Sequence, residues 1–165
     1  MSFFVVDTNV PVVANGRSQQ AGPDCVISCL NALDEIYRNG TIILDDKMLI
    51  LREYMNNLNL SGQPGPGDAF MAWVYDNQAV TNRCKQVHIT PLEEDSTNFI
   101  EFPQNDQLRT FDHSDRKFVA VACNCEVMPE ILNAVDPDWE EYFDALSQAG
   151  LQIRFLCPRN VCLGR

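Results

Sequence analysis

An α/β fold, with a mostly parallel central sheet and helices on both faces, follows from three observations. Short β-rich apolar runs alternate with stretches of helical periodicity, three of those runs end in acidic residues, and 165 residues are enough for one core but not two. The 45% hydrophobic and 21% charged fractions belong to a folded chain rather than a disordered one. A single domain over 1–165 is therefore expected.

Taken in order, Ser2 to Val6 is a short apolar run that stops at Asp7-Thr8-Asn9 and reads as a buried strand entering a polar turn. A Gly/Ser/Gln loop spans Asn15 to Gly22. Pro23-Asp24 then opens a helix near 24–38, with Val26, Ile27, Leu30, Leu33 and Tyr37 at helical spacing and Asn39-Gly40 as its stop. Thr41 to Leu44 predicts a second strand ending at Asp45-Asp46, followed by a helix over Lys47 to Leu58 marked by Met48, Leu51, Tyr54, Met55 and Leu58. The stretch from Ser61 to Gly67 is a breaker, after which Asp68 is the expected N-cap of a helix through Ala72, Val74 and Tyr75. Residues 81–112 carry little periodicity beyond a candidate strand at Gln86 to Ile89 and an acidic loop at Glu93 to Asp95. From Asp115, the residues Phe118, Val119, Ala122 and Cys125 predict a small apolar helix. Glu130 to Val135 is the next strand. Asp138 with Glu141 fits a capping box for a helix carrying Trp139, Tyr142, Phe143 and Leu146, Gly150 ends it, and Leu151 to Leu156 is the last strand.

Twelve Lys plus Arg against 23 Asp plus Glu leave a formal net charge of -11, which argues against a broad, nonspecific coat on nucleic acid. It leaves room for a nucleic-acid substrate, because bound cations reverse the sign of a carboxylate-rich centre locally. No apolar run reaches bilayer length, and the first residues lack a basic region and a cleavage site, so a cytoplasmic protein without membrane contact is expected. The seven cysteines sit in apolar stretches and read as reduced core thiols. Cys123-x-Cys125 and Cys157-x4-Cys162 lack the two-residue spacer usual for zinc, and His88 and His113 are distant from both in sequence. Nothing singles out a cysteine–histidine nucleophile pair.

The acids carry more information. Phe4-Val5-Val6-Asp7, Ile42-Ile43-Leu44-Asp45-Asp46 and Ile131 to Asp138 are apolar runs that end in carboxylates. If the strands are parallel, these acids gather at the edge where open α/β sheets bind ligands, and Asp115 and Glu53 can join them from helices. Each has a plainer role when taken alone: Asp7 in a turn, Asp115 and Asp138 at helix N-termini, Glu53 on a solvated helix face. Together they repel unless protons or cations neutralise them, and all-oxygen donors favour Mg²⁺ or Mn²⁺ over zinc. Such ions activate water and stabilise charge on a phosphodiester.

The ordered set resembles the PIN domain family of metal-dependent ribonucleases. The matching residues are Val5-Val6-Asp7-Thr8-Asn9, Glu53 in Ile50-Leu51-Arg52-Glu53-Tyr54, Asp115 in Asp115-Arg116-Lys117-Phe118-Val119-Ala120-Val121-Ala122, and Asp136-Pro137-Asp138-Trp139. The resemblance runs from residue 3 to about 156. It implies a three-layer PIN-like domain in which Asp7, Glu53, Asp115 and Asp136 are catalytic and bind Mg²⁺ or Mn²⁺, with Asp138 as a fifth acid. It further implies that Asn9 orients Asp7 through its side chain, that Arg116 and Lys117 contact phosphate, and that metal-activated water hydrolyses RNA without a covalent intermediate.

Two features depart from the family pattern. PIN-domain toxins often carry Thr or Ser two residues before the fourth acid, where this chain has Ala134 beside Asn133, which bears on how the water is positioned. The stretch Gly62 to Asp112 has no counterpart in compact toxins, and its expected roles are a substrate lid, a partner surface or an inhibitory cover. The resemblance also points to a toxin or RNA-processing nuclease, to a basic antitoxin-like protein segment as partner, and to a homodimer. A catalytically silent PIN-like interaction module is the alternative. A phosphatase forming aspartyl-phosphate at Asp7 is disfavoured, since Asn9 stands where the best-known such family has its second acid.

Overall fold

The computed structural model describes residues 1–157. Five parallel strands form the centre: β1 (Ser2–Val6), β2 (Gly40–Asp45), β3 (Cys84–Val87), β4 (Glu130–Asn133) and β5 (Gln152–Phe155), in the spatial order β3-β2-β1-β4-β5. The helices are α1 (Asn9–Ala14), α2 (Pro23–Asn39), α3 (Leu49–Asn57), α4 (Pro66–Asn77), α5 (Arg116–Cys123), α6 (Asp138–Glu141) and α7 (Phe143–Gln148). Every residue of β2 is buried, as a strand covered on both faces requires. The fold class is therefore the one expected, with a sheet that is wholly parallel.

Chain direction positions the site. The chain moves outward from β1 to β2 to β3, then returns across the sheet through α5 to place β4 on the other side of β1. Because right-handed crossovers in opposite directions lie on opposite faces, this reversal leaves a crevice beyond the ends of β1 and β4. Asp7 follows β1 directly, its N–H donating to Leu132 O at 3.1 Å, and Asp136 follows β4 by three residues.

Local chemistry explains the helices. In α2, Pro23 starts the helix, and Cys25, Cys29, Ala32, Leu33 and Ile36 make its buried stripe. Gly40 closes it because a Cβ there would stand 2.8 Å from Ile36 Cα and 3.0 Å from the Phe4 ring. The α4 start packs on α1 so closely that a Cβ on Gly67 would stand 1.8 Å from Pro11 O. α5 is buried nearly all round, through Phe118 to Ala122, and packs across β2, β1 and β4.

Several boundaries differ from expectation. α1 was not foreseen, because six residues around Pro11 give no helical period. Asp68 is the third residue of α4, not its N-cap, and its carboxylate accepts from Gly65 N at 2.8 Å and Asn59 N at 2.9 Å. Asp138 likewise opens α6 from inside, and the helix expected there is two short ones broken at Tyr142. The last β4 residue is Asn133 rather than Val135, and β3 lies two residues earlier than the candidate strand. The stretch 62–112 supplies α4 and the edge strand β3.

The expectation that the cysteines are all reduced is corrected. Cys25 and Cys157 form a disulfide, Cα atoms 4.6 Å apart, because the chain leaving β5 passes over the first turn of α2. Cys29, Cys84, Cys123 and Cys125 are free, and Cys162 of the Cys157-x4-Cys162 pair lies outside the described residues. Among the described residues, no helix is long and apolar enough to cross a membrane.

Candidate metal centre

Three of the expected acids meet in the crevice. Carboxylate oxygens of Asp7, Asp115 and Asp136 lie within 4.8 Å of one another, from the end of β1, the start of α5 and the loop after β4. A second trio, Asp112, Asp115 and Asp138, shares Asp115 at the same spacing. Asp112 had not been singled out from sequence. It precedes Asp115 by one turn, and its carboxylate accepts from Ser114 N at 2.9 Å.

Asp7 is 4% exposed and held at both oxygens: Asn9 N donates to Oδ1 at 3.0 Å, and the indole N–H of fully buried Trp139 donates to Oδ2 at 2.7 Å. Burial nonetheless pushes its pKa up to about 7, Asp136 and Glu53 adding repulsion that those two hydrogen bonds only partly offset. Burial also raises Asp115 to about 9, with repulsion from Asp7 and Asp136 next. Asp138 is raised too, first by burial and then by Asp136 and Asp112. At neutral pH Asp115 keeps its proton and Asp7 is about half protonated unless a cation stands beside them.

Asn9 does not orient Asp7 as expected. Its side chain crosses to the β4 loop, where Nδ2 donates to Asn133 Oδ1 at 2.8 Å and Oδ1 accepts from Ala134 N at 2.8 Å; its backbone N–H serves Asp7 instead. Asn133 in turn donates to Asp136 O at 3.0 Å. The amide pair thus fixes the loop that carries Asp136. Asp136 Oδ1 accepts from Asp138 N at 2.9 Å, so Asp136 holds the start of α6, the role expected of Asp138.

Glu53 stands beside the trio, outside its 4.8 Å grouping. The Thr8 hydroxyl donates to its Oε2, and Lys117 Nζ lies 2.7 Å from its Oε1. Lys117 also donates to the Ser114 carbonyl. Tyr54, the next residue in α3, donates to Val6 O at 2.5 Å and anchors α3 to β1.

Arg116 is corrected as a phosphate contact. It is 4% exposed, and its guanidinium donates to Phe111 O, to Arg109 O at 2.8 Å and to Asn98 Oδ1 at 3.1 Å while lying over the Phe102 ring. It braces the irregular segment from 98 to 111. Asp45 and Asp46 stay out of the cluster as well. The Asp45 carboxylate caps α3, accepting from Lys47, Leu49 and Ile50 N–H at 2.8 to 3.0 Å, and Asp46 pairs with His88 Nδ1 at 2.6 Å. Thr97, Phe99, His113, Ser114 and Lys117 line a hollow of about 160 Å³ beside Glu53, which brings the irregular segment to the rim of the centre.

The donors in the two trios are all carboxylate oxygens, the set preferred by Mg²⁺ and Mn²⁺. Oxygens around one such ion, at about 2.1 Å from it, are about 3 to 4 Å apart, which agrees with the spacing here. Compared with protein-family models, with curated proteins and with solved structures, the chain gives no match.

Proposed function

We propose that the chain is a divalent-metal-dependent endoribonuclease, a hydrolase acting on phosphodiester bonds in the manner of a toxin or an RNA-processing nuclease in the cytoplasm. The observation that carries this reading is the convergence of Asp7, Asp115 and Asp136 at the switch point of the sheet, two of them with pKa values raised to about 7 and 9. The choice of RNA rests on the resemblance of the sequence motifs to PIN-domain nucleases.

Asp7, Asp115 and Asp136 would hold Mg²⁺ or Mn²⁺, with Glu53 and Asp138 beside them. The ion, when bound, supplies an activated water and neutralises charge on the phosphoryl group. The remaining contributions come from the chain. Trp139 and Asn9 N fix both Asp7 oxygens, and the Asn9–Asn133 pair fixes the Asp136 loop. Lys117 places an ammonium at the rim, between Glu53 and the open hollow, where it meets an entering phosphate. Burial of Asp7 and Asp115 keeps water away from their inner faces.

One observation favours the silent interaction module: Glu53 is already paired with Lys117 and accepts a hydrogen bond from Thr8, and Ala134 offers no hydroxyl. Incubating a mixed structured and single-stranded RNA pool with Mn²⁺, Mg²⁺ or chelator separates the two readings. Metal-dependent cleavage lost in Asp7→Asn and Asp115→Asn supports the nuclease. No cleavage, with no calorimetric metal binding, leaves the interaction module.

A further inference from the structure

A second cluster of potential ligands lies apart from the carboxylates. Cys25 and Cys29 stand one turn apart on the buried face of α2, and the end of β5 brings Cys157 over them, so that the three Sγ atoms lie within 4.8 Å of one another. Cys25 and Cys157 are joined, which leaves Cys29 as a thiol with 0% exposure and no hydrogen-bond partner among the described residues, facing two other sulfurs. A buried free thiol packs as a small apolar group and by itself asks for no ligand; three sulfurs from two elements converging on one point, however, are the donor set of a soft or borderline cation.

We propose that Cys25, Cys29 and Cys157 of the reduced chain form a site for one zinc-class divalent ion held by three thiolates. In tetrahedral zinc sites the Zn–S distance of about 2.3 Å separates the sulfurs by about 3.8 Å. Cys29 Sγ lies within 4.8 Å of both partners, and the Cys25 and Cys157 sulfurs, joined in the oxidised chain, move apart to that separation once the bridge is reduced. The fourth position faces a groove of about 350 Å³ that Cys25 and Cys157 line, giving the ion an entrance and a water as its remaining ligand. Reduction of the bridge by two equivalents of a small thiol returns Cys25 and Cys157 as thiols while the reductant leaves as its disulfide. Metal binding then releases the thiol protons to the buffer. Burial raises the Cys29 thiol to about 12, so this cysteine ionises when a cation is next to it and otherwise stays inert.

The consequence is a clip that survives reduction. In the oxidised chain the disulfide ties the start of α2 to the end of β5; in the reduced chain the ion makes the same tie. The soft-sulfur site and the hard-oxygen centre select different metals, although Asp136 and Pro137 line the same groove. The inference is independent of the nuclease reading.

Cobalt titration tests it, because thiolate-to-cobalt charge-transfer absorption reports sulfur ligation and is silent for carboxylates. Protein reduced with a phosphine and freed of reductant under nitrogen should develop that absorption with one equivalent of Co²⁺ and lose it on adding Zn²⁺. Cys29→Ser should lose at least nine-tenths of the absorption while still forming the Cys25–Cys157 bridge in air, as mass spectrometry of peptides shows; Cys84→Ser should behave as wild type. Absence of the absorption in wild type overturns the proposal. So does absorption that persists in Cys29→Ser, since the sulfur ligands then lie elsewhere.

Discussion

The indole N–H of Trp139 donates to Asp7 Oδ2 at 2.7 Å across 132 residues of sequence, tying the first turn of α6 to the end of β1. Both groups are buried, so this bond competes with no water. Trp139→Phe keeps most of the ring and removes the donor, leaving a buried acceptor short of a partner. The expected cost is about 1–3 kcal/mol in urea unfolding. Mn²⁺ affinity at pH 7 should fall about tenfold or more, as for other groups that orient metal ligands. Raising the pH should recover part of that affinity, because Asp7 then ionises without the donor; a purely structural role for Trp139 would give no such recovery.

Asp7 and Asp115 have pKa values raised above the usual carboxylate range, to about 7 and about 9, burial being the first cause in each. The metal-free folded chain therefore binds more protons than the unfolded chain between about pH 4 and 9, and its stability falls as pH rises through that window. The slope is about 1.4 kcal/mol per pH unit for each extra proton retained. Melting temperatures in chelator should drop from pH 5 to pH 8.5, and Mn²⁺ should flatten the profile by replacing the protons. A chelated protein that gains stability over that range contradicts this electrostatic account.

Arg116 and Lys117 are neighbours with opposite duties. Arg116→Met leaves the Arg109 and Phe111 carbonyls without their donor inside the fold, so it should destabilise by about 3 kcal/mol or more. Lys117→Met removes a partly exposed pair with Glu53 and should change stability by about 1 kcal/mol or less. Its effect should appear in binding: Glu53 is released, Mn²⁺ binds up to about tenfold tighter, equivalent to 1.4 kcal/mol, and RNA cleavage slows. Denaturant curves and calorimetry of the two variants check the contrast.

Gly67 marks the tightest helix contact. A Cβ at that position would meet the Pro11 carbonyl, backbone against backbone, so Gly67→Ala should cost about 1–3 kcal/mol or more despite the better helix propensity of alanine. A thermal melt equal to wild type would show that α1 and α4 part easily.

Much of this arrangement was legible in the sequence because strand ends and acids coincide. Val6 followed by Asp7, and β4 followed shortly by Asp136, place carboxylates beyond the two central strands before any topology is known. The same rule misplaced Asp45, whose carboxylate is consumed by the N–H groups of α3, because a strand-end acid that opens a helix looks identical in sequence to a ligand. Arg116 reads as a phosphate contact until the irregular segment 98–111 folds over it. Asp112 stood in a loop without periodicity, and its position one turn before Asp115 was the signal that could have found it. The meeting of Cys157 with Cys25 depends on where β5 ends over α2, which no local pattern encodes.

The central claim, a divalent cation held by three convergent carboxylates, is tested most directly by the anomalous difference map of a crystal grown or soaked with Mn²⁺. The account predicts a peak bonded to carboxylate oxygens of Asp7, Asp115 and Asp136, absent in a crystal of Asp115→Asn. A saturated soak that leaves those carboxylates in place with no peak among them would contradict it.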